Sequence, residues 1–223
     1  MISIVIPALD EERALPGTLA RVFAQAGEFE VIVVDGGSTD ATRGIARRHA
    51  GVRLVEAPRG RARQMNAGAR GARGEWLLFL HADTLLPGDG LARIAALPED
   101  VDAGCFEQRF SGDDWRLALI SRLHNFRCRR TGVMYGDQAM FVRRRVFESL
   151  GGFPDVEHLE DVIFTERLAR LARPTLVPAE VVTDSRKFVK MGVLRSLGRC
   201  LAILLCYELR VPMPTRAFFA PIR

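Results

Sequence analysis

The stretch 76–84, WLLFLHADT, decides the fold. Residues 76–80 form a short unbroken apolar run, the pattern of a strand buried on both faces. The run ends in His81, Ala82 and Asp83, so a buried strand delivers a carboxylate to the edge of its sheet. In open α/β sheets, ligands bind just beyond the carboxyl ends of the strands. Two readings of Asp83 follow. Either it caps the next turn, or, flanked by His81 and Thr84, it holds a hard divalent cation that also carries phosphate oxygens.

The same pattern recurs toward the N-terminus. Residues 2–6 are an apolar run that Pro7 is expected to stop, and 31–34 and 52–55 are two more. Leu15, Leu19, Val22, Phe23 and Ala26 fall at helical spacing, with Pro16 tolerated in the first turn. Ser38, Thr39 and Asp40 offer N-caps for a helix ending near His49. The Gly- and Arg-rich segment 59–73 reads as a connection into the strand at Trp76. Strands alternating with helices over about 100 residues predict an α/β fold, a mostly parallel central sheet with helices on both faces.

Beyond Pro87 the rhythm changes. Strands are expected over 103–110 and 139–142, with helices over 117–126 and 159–171. A last helix over 193–209 sets Leu194, Leu197, Leu201, Leu204 and Leu205 on one face, and Pro212 and Pro214 end it. Neither a repeat nor a low-complexity linker divides the chain, so 1–223 reads as a single domain.

The bulk numbers fit that reading. The 223 residues are 48% apolar and 26% charged, an ordinary globular composition. A net charge of +5 is too small to imply nucleic acid, but favours anionic substrates or an anionic membrane surface. Cys105, Cys128, Cys200 and Cys206 form no CxxC pair and show no zinc spacing. The first strand leaves no room ahead of it for a signal peptide, and the apolar run 200–207 is too short to span a bilayer. The expectation is a cytoplasmic protein, associated with the inner membrane face if the basic C-terminal helix touches lipid.

Four strand-end stretches carry the chemistry. PALDEE brings Asp10, Glu11 and Glu12 to the end of the first strand. VVDGGSTD brings Asp35, with Gly36 and Gly37 allowing a ligand ring close to the backbone. Arg61, Arg63 and Asn66 precede the fourth strand, and the turn from His81 to Asp83 follows it. Carboxylates there can accept from a base and from ribose hydroxyls, while a cation on Asp83 and an Arg neutralise phosphate. Arg186 and Lys187 are either a solvated run or a clamp on a leaving diphosphate.

SIVIPALDEE, VIVVDGGSTD, GRARQMNAGA, HADT and LED, in this order, resemble the family 2 glycosyltransferases over roughly residues 2–185. These are inverting enzymes of the GT-A fold that use nucleotide-diphospho sugars. The resemblance assigns residues 1–100 to the nucleotide-sugar half, 101–188 to the acceptor and catalytic half, and 189–223 to a C-terminal amphipathic helix and tail. It implies that Pro7, Ala8, Asp10 and Glu11 line the nucleotide site, that Asp35 and Gly37 lie at the base, and that Arg63 and Asn66 lie near the donor. Asp83 matches the last carboxylate of the DxD motif, the ligand of Mg2+ or Mn2+. Asp161 matches the catalytic base, with Glu160 beside it, and Gly136, Asp137 and Gln138 match a loop on the acceptor side. Arg186 then falls on the leaving diphosphate.

The chain departs from the family pattern at two places. His81 stands where the first acid of DxD is usual, followed by Ala82, and Gly36 replaces a second Asp, which bears on the uridine assignment. Size and the HAD-type motif are similar to a small soluble branch linked to arsenosugar biosynthesis. The implied reaction is metal-dependent transfer of a sugar from a UDP-linked donor to an acceptor hydroxyl with inversion. Two other readings are a sugar nucleotidyltransferase and a non-catalytic module that binds nucleotides or a membrane surface. An NAD-linked Rossmann enzyme is disfavoured, because PALDEE stands where GxGxxG belongs.

Overall fold

The structure is a computed structural model that describes residues 1–209 and 211. Among these residues one eight-stranded sheet runs in the order β3-β2-β1-β4-β7-β6-β8-β5. Its first half is β1 (Ile2–Ala8), β2 (Phe29–Asp35), β3 (Val52–Glu56) and β4 (Trp76–Phe79), all parallel. The second half is mixed. β7 (Phe141–Arg143) runs antiparallel to β4 and to β6 (Ala103–Phe110). β8 (Thr175–Thr183) is parallel to β6, and the two-residue β5 (Thr84–Leu85) closes the edge antiparallel to β8.

Period-two alternation explains why these runs carry almost no polar residues. Ile2, Ile4 and Ile6 pack on one face with Leu15, Leu19 and Val22 of α1 (Leu15–Phe23) and with Leu91 and Ile94 of α4 (Gly90–Ala95). Val5, Ile32, Val34 and Phe79 pack on the other with Met65, Phe147 and Phe164. These belong to α3 (Arg61–Arg70), α6 (Arg144–Ser149) and α7 (Glu160–Ala169). Both faces of the sheet are buried, so both residues of each alternation are apolar. α2 (Thr42–Arg48) adds Ala46 to the first face. α5 (Trp115–Thr131) lies along β6, followed late in the chain by α8 (Arg186–Met191) and α9 (Val193–Glu208).

Several expectations change. Pro7 does not stop β1, which continues to Ala8 with Pro7 opposite Val34; pairing with β4 has already ended at Val5–Phe79, beyond which Leu80 N donates to Val5 O at 3.0 Å. The segment 59–73 is no simple connection, because α3 occupies its centre. None of Ser38, Thr39 or Asp40 is the N-cap of α2, whose cap residue is Ala41. The leucine stripe of α9 does not seat on the core. Val193 and Ser196 are buried instead, while Leu194, Leu201 and Leu205 are exposed. The side chain of Leu204 and residues Pro212 and Pro214 lie outside the described residues.

Candidate active site

The strand order reverses between β1 and β4, and in an open α/β sheet that is where a crevice forms beyond the strand ends. A cleft of about 300 Å³ opens there. Its floor is Pro7, Ala8 and Leu9 from the end of β1 and His81, Ala82 and Asp83 after β4, while Arg61 and Gln64 rise from α3. Glu11 and Lys187 close the rim.

Local chemistry fixes this floor. Gln64 Nε2 donates to the carbonyls of Ala8 and Val34, both at 2.8 Å, stitching the ends of β1 and β2 to α3. A Cβ on Gly36 would lie 2.8 Å from the Gln64 carboxamide carbon, so the glycine makes room for that side chain rather than for a ligand ring. Thr18 Oγ1 donates to Ala82 O at 2.7 Å and holds the HAD turn from below.

The β1–α1 and β2–α2 loops are laced together. Asp10 N donates to Ser38 Oγ, Glu11 N to Thr42 Oγ1, and Asp10 Oδ1 accepts from Thr39 N at 2.8 Å. Asp35 is buried, and its carboxylate accepts from the N–H groups of Gly37 (2.9 Å) and Ser38 (3.1 Å). Asp10 and Asp35 therefore hold the loops at the mouth of the cleft. Gly37 has φ 93°, the left-handed region that glycine occupies without strain.

The opposite wall comes from the far end of the chain. β5 pairs with β8, and Asp184 N donates to Asp83 O at 3.0 Å, which brings Arg186 and Lys187 over the cleft. Lys187 Nζ stands 3.5 Å from Asp83 Oδ2 and 3.7 Å from Glu11 Oε1. Arg186 bonds Glu11 and lies 3.9 Å from Asp83 Oδ2. Burial raises the Glu11 carboxyl above its ordinary value, against the pull of Lys187. Two carboxylates thus converge on positive charge. Mg2+ is commonly held by one or two carboxylates plus substrate phosphates, a donor set that Asp83 with Glu11 supplies. Among the described residues no cluster of three or more His, Cys, Asp or Glu could hold a metal alone.

Deeper in, Glu160 and Asp161 start α7, both buried. Arg61 Nε donates to Glu160 Oε1 at 2.8 Å, and burial raises the Glu160 carboxyl while Arg61 opposes that shift. Asp161 Oδ2 accepts from Gly136 N at 2.7 Å and Oδ1 from Val162 N at 2.8 Å, which fixes the carboxylate and leaves each oxygen a further lone pair. A Cβ on Gly136 would lie 2.6 Å from His81 Nε2 and 3.3 Å from Asp161 Oδ2, so the glycine sits between them. Burial, with Arg61 nearby, pushes His81 below its ordinary value and keeps the ring neutral near pH 7. Arg61 feels these carboxylates in turn, Glu160 foremost and then Asp161, Asp137 and Asp83, which hold its guanidinium charged despite desolvation.

Gly136, Asp137 and Gln138 form a single 3-10 turn beside Asp161. Gln138 Oε1 accepts from Tyr135 N, and Asp137 O accepts from Thr183 Oγ1 at 3.2 Å. Asp137 Oδ1 is buried without a hydrogen-bond partner, 3.9 Å from His124 Nε2. Burial pushes the Tyr135 phenol up to about 12; it accepts from Arg127 Nε at 3.1 Å, and its ring lies under that guanidinium. Among the described residues, the non-glycine residues with left-handed backbone (Asp10, Ala139 and Leu159) each adjoin a site residue: Glu11, Gln138 and Glu160. Such conformations cluster at functional sites.

Asp10, Asp35 and Gly37 stand outside the lining of the cleft, and two further expected donor residues, Arg63 and Asn66, are turned to other partners. Arg63 points outward and pairs with Asp155 at 2.8 Å. Asn66 donates to Phe153 O (2.8 Å) and accepts from Phe153 N (3.0 Å), bracing the Gly151–Gly152 turn. Arg61, Gln64 and Lys187 take the places on the cleft. Arg61 and Lys187 already stood among the candidates of the sequence, whereas Gln64 did not; its signal is the i, i+3 spacing from Arg61, legible only once 61–70 is read as a helix.

A sequence profile of the family described as Glycosyl transferase family 2 matches residues 3–151, more than half of the chain. The chain belongs to glycosyltransferase family 2. A PGL/p-HBAD biosynthesis glycosyltransferase of Mycobacterium bovis is 37% identical over 167 residues, which cover 69% of this chain and 63% of the relative. An undecaprenyl-phosphate 4-deoxy-4-formamido-L-arabinose transferase of Aeromonas hydrophila is 30% identical over 156 residues, 64% of this chain and 48% of the relative. This glycosyltransferase family 2 chain thus spans less than two thirds of the length of these curated relatives. Among solved structures, the mannosyltransferase PcManGT of Pyrobaculum calidifontis, in complex with GDP-Man and Mn2+, superposes with a TM-score of 0.63 at 26% identity. That match covers 82% of this chain and 56% of the other. TarS residues 1–349 of S. aureus, in complex with UDP-GlcNAc, gives 0.65 at 21% identity over 82% and 58% of the two chains. The fold is therefore GT-A, and the cleft lies at its strand ends.

Proposed function

We propose that this protein is an inverting, metal-dependent glycosyltransferase that moves a sugar from a nucleotide-diphospho donor, UDP-linked in the first instance, to an acceptor hydroxyl. The observation that carries the reading is the cleft at the β1–β4 crevice, lined by Asp83, His81 and Arg61, where Arg61 pairs with Glu160 and the fixed Asp161 carboxylate lies across Gly136 from His81. Relatives bearing sugar-transfer names and a GDP-Man–Mn2+ complex on the same fold support it.

In this reading the nucleotide lies along the floor at Pro7 and Ala8, under the loops held by Asp10 and Asp35. Asp83, with Glu11 beside it, would hold Mg2+ or Mn2+, which supplies charge neutralisation on the diphosphate. Arg186 and Lys187 add fixed positive charge at the same place, the form of electrostatic stabilisation suited to a leaving group gaining charge. Asp161 accepts the proton of the acceptor hydroxyl. The acceptor oxygen bonds the anomeric carbon as its bond to the diphosphate oxygen breaks, and the electron pair leaves with the nucleoside diphosphate. Arg61 sets the field around Asp161 and holds Glu160, while Gly136, Asp137 and Gln138 border the acceptor.

Calorimetric titration with UDP, GDP and their sugar conjugates, with and without Mn2+, tests the donor. Metal-dependent binding of one nucleotide diphosphate is expected, and Asp83→Ala should lose the metal dependence. Asp161→Asn should lower turnover by about 10²-fold or more while keeping donor affinity. Full turnover in Asp161→Asn refutes the base assignment, and release of pyrophosphate from a nucleoside triphosphate would replace transfer by nucleotidyl chemistry.

A further inference from the structure

Helix α5 is built inside out. Leu117, Ser121, Asn125 and Cys128 are buried, so three of the four residues on its inner face are polar or weakly so. Trp115, Leu119, Leu123 and Phe126 face water, at 72%, 47%, 57% and 61% exposure. At 100° per residue these four fall within an arc of about 80°, a continuous ridge of large apolar side chains.

The polar inner face has a structural cause. β7 pairs with β6 only at Ala103 and Gly104, so the rest of that β6 edge lacks a strand partner there. α5 covers it: Asn125 accepts from Gln108 N (2.9 Å) and donates to Gln108 O (3.0 Å), and Ser121 Oγ accepts from Phe110 N. These bonds lock the rotation of the helix, and the apolar ridge has no freedom to turn inward. Core packing therefore does not account for it.

Charge indicates what does. α5 carries five arginines and no carboxylate within its seventeen residues; Arg116 pairs with Asp114 and Arg129 with Glu107, while Arg122 and Arg130 lie beside the ridge. Its neighbour α9, which meets it through Leu117 and Val193, likewise exposes Leu194, Leu201 and Leu205 and carries Arg195 and Arg199. A second copy of this face would bring arginine against arginine. An aromatic-leucine ridge among basic side chains matches instead the boundary between acyl chains and anionic headgroups. Among the described residues no helix is long and apolar enough to cross a membrane, so the contact would lie in the surface plane.

We infer that α5, with the exposed leucines of α9, docks this protein on an anionic lipid bilayer. The docked face borders the proposed acceptor side: Arg127 of α5 bonds Tyr135, whose neighbour Gly136 donates to Asp161. An acceptor hydroxyl carried at the bilayer surface would meet the base there. The docking itself requires neither donor nor turnover, so it stands or falls apart from the proposed reaction.

The test uses the full chain with vesicles of phosphatidylcholine alone or with phosphatidylglycerol added. Co-sedimentation is expected with the anionic vesicles only, weakening as salt rises. Trp76 is buried, so a blue shift of tryptophan emission reports on Trp115. Leu119→Asp with Leu123→Asp, both exposed in the native fold, should leave the melting temperature in place and lower vesicle partition by at least about tenfold. Absence of sedimentation overturns the inference. So does equal binding to neutral vesicles, or binding that the double variant retains. A solution dimer that shields Trp115 and binds no vesicle assigns the ridge to self-association and overturns it as well.

Discussion

Replacing Gly136 with Ala adds one methyl group at the most crowded point of the site. The backbone accepts alanine, because Gly136 is not among the residues with left-handed φ. The added Cβ would lie 2.6 Å from His81 Nε2, 2.9 Å from His81 Cε1 and 3.3 Å from Asp161 Oδ2. Carbon contacts settle near 3.5–4.0 Å, so the imidazole, the turn or both must retreat by about 1 Å. Overpacking of this kind costs about 1–3 kcal/mol, and at this chain length each kcal/mol lowers Tm by about 2–4 °C. A displacement of about 1 Å between reacting groups costs about 10²-fold in rate. The expected Gly136→Ala protein is therefore folded, melts several degrees early, binds nucleotide normally and transfers sugar about 10²-fold more slowly. Single-turnover transfer, calorimetric nucleotide titration and thermal melting by circular dichroism measure the three quantities separately. Gly17→Ala, where a Cβ meets nothing within 4 Å, is the control for an added methyl without a clash, and as an exposed position of α1 it should not lower Tm. Full turnover in Gly136→Ala, or a loss that follows only the unfolded fraction, would refute the placement of Gly136 between His81 and the base.

Other perturbations separate structural from chemical roles. Arg61 is 47% exposed and Glu160 only 2%, so Arg61→Ala leaves a buried carboxylate unpaired at about 1–3 kcal/mol, below the cost of a fully buried pair. Because the native Glu160 carboxyl sits above its unfolded value, its contribution is most favourable at low pH and is lost as pH rises through the folded value. The deficit of Arg61→Ala should then be larger at pH 8 than at pH 5 in denaturant titrations, and a pH-independent deficit would contradict the pairing. Asn66→Ala removes both hydrogen bonds to Phe153 and should cost about 2–3 kcal/mol while leaving nucleotide affinity unchanged; a selective loss of donor binding would return Asn66 to the donor site. Gly104→Ala would set a Cβ 2.3 Å from Thr175 O, a backbone atom with little room to move, and should lower Tm more than Gly136→Ala does.

What the sequence made legible follows from how local each feature is. β1, β2 and β4 lie between two helical layers, so nearly every residue in them is apolar and the runs stand out unaided. The residues that leave those strands, Ala8, Asp35 and the HAD turn, were legible for the same reason, since a strand end fixes its successor. α3 was not. Its buried face is Ala62, Gln64, Met65, Gly68 and Ala69, small or polar because a Cβ on Gly68 would already lie 2.4 Å from Val5 Cγ1, and so it carries little apolar signal. Missing that helix left Arg61 and Arg63 named together, although they lie about 200° apart around the axis and therefore on opposite sides of it. The wall formed by Arg186 and Lys187 was legible only as a choice between a solvated run and a diphosphate clamp. Its contact with Glu11 spans 175 residues and depends on the two-residue pairing of β5 with β8, which no local pattern encodes. The inverted face of α5 is the converse case. Its apolar spacing is plain in the sequence, but which side faces the core is decided by the open edge of β6, a property of the sheet. The floor of the cleft is thus a local property of the chain, whereas its walls and its exposed apolar flank are set by pairings between distant segments.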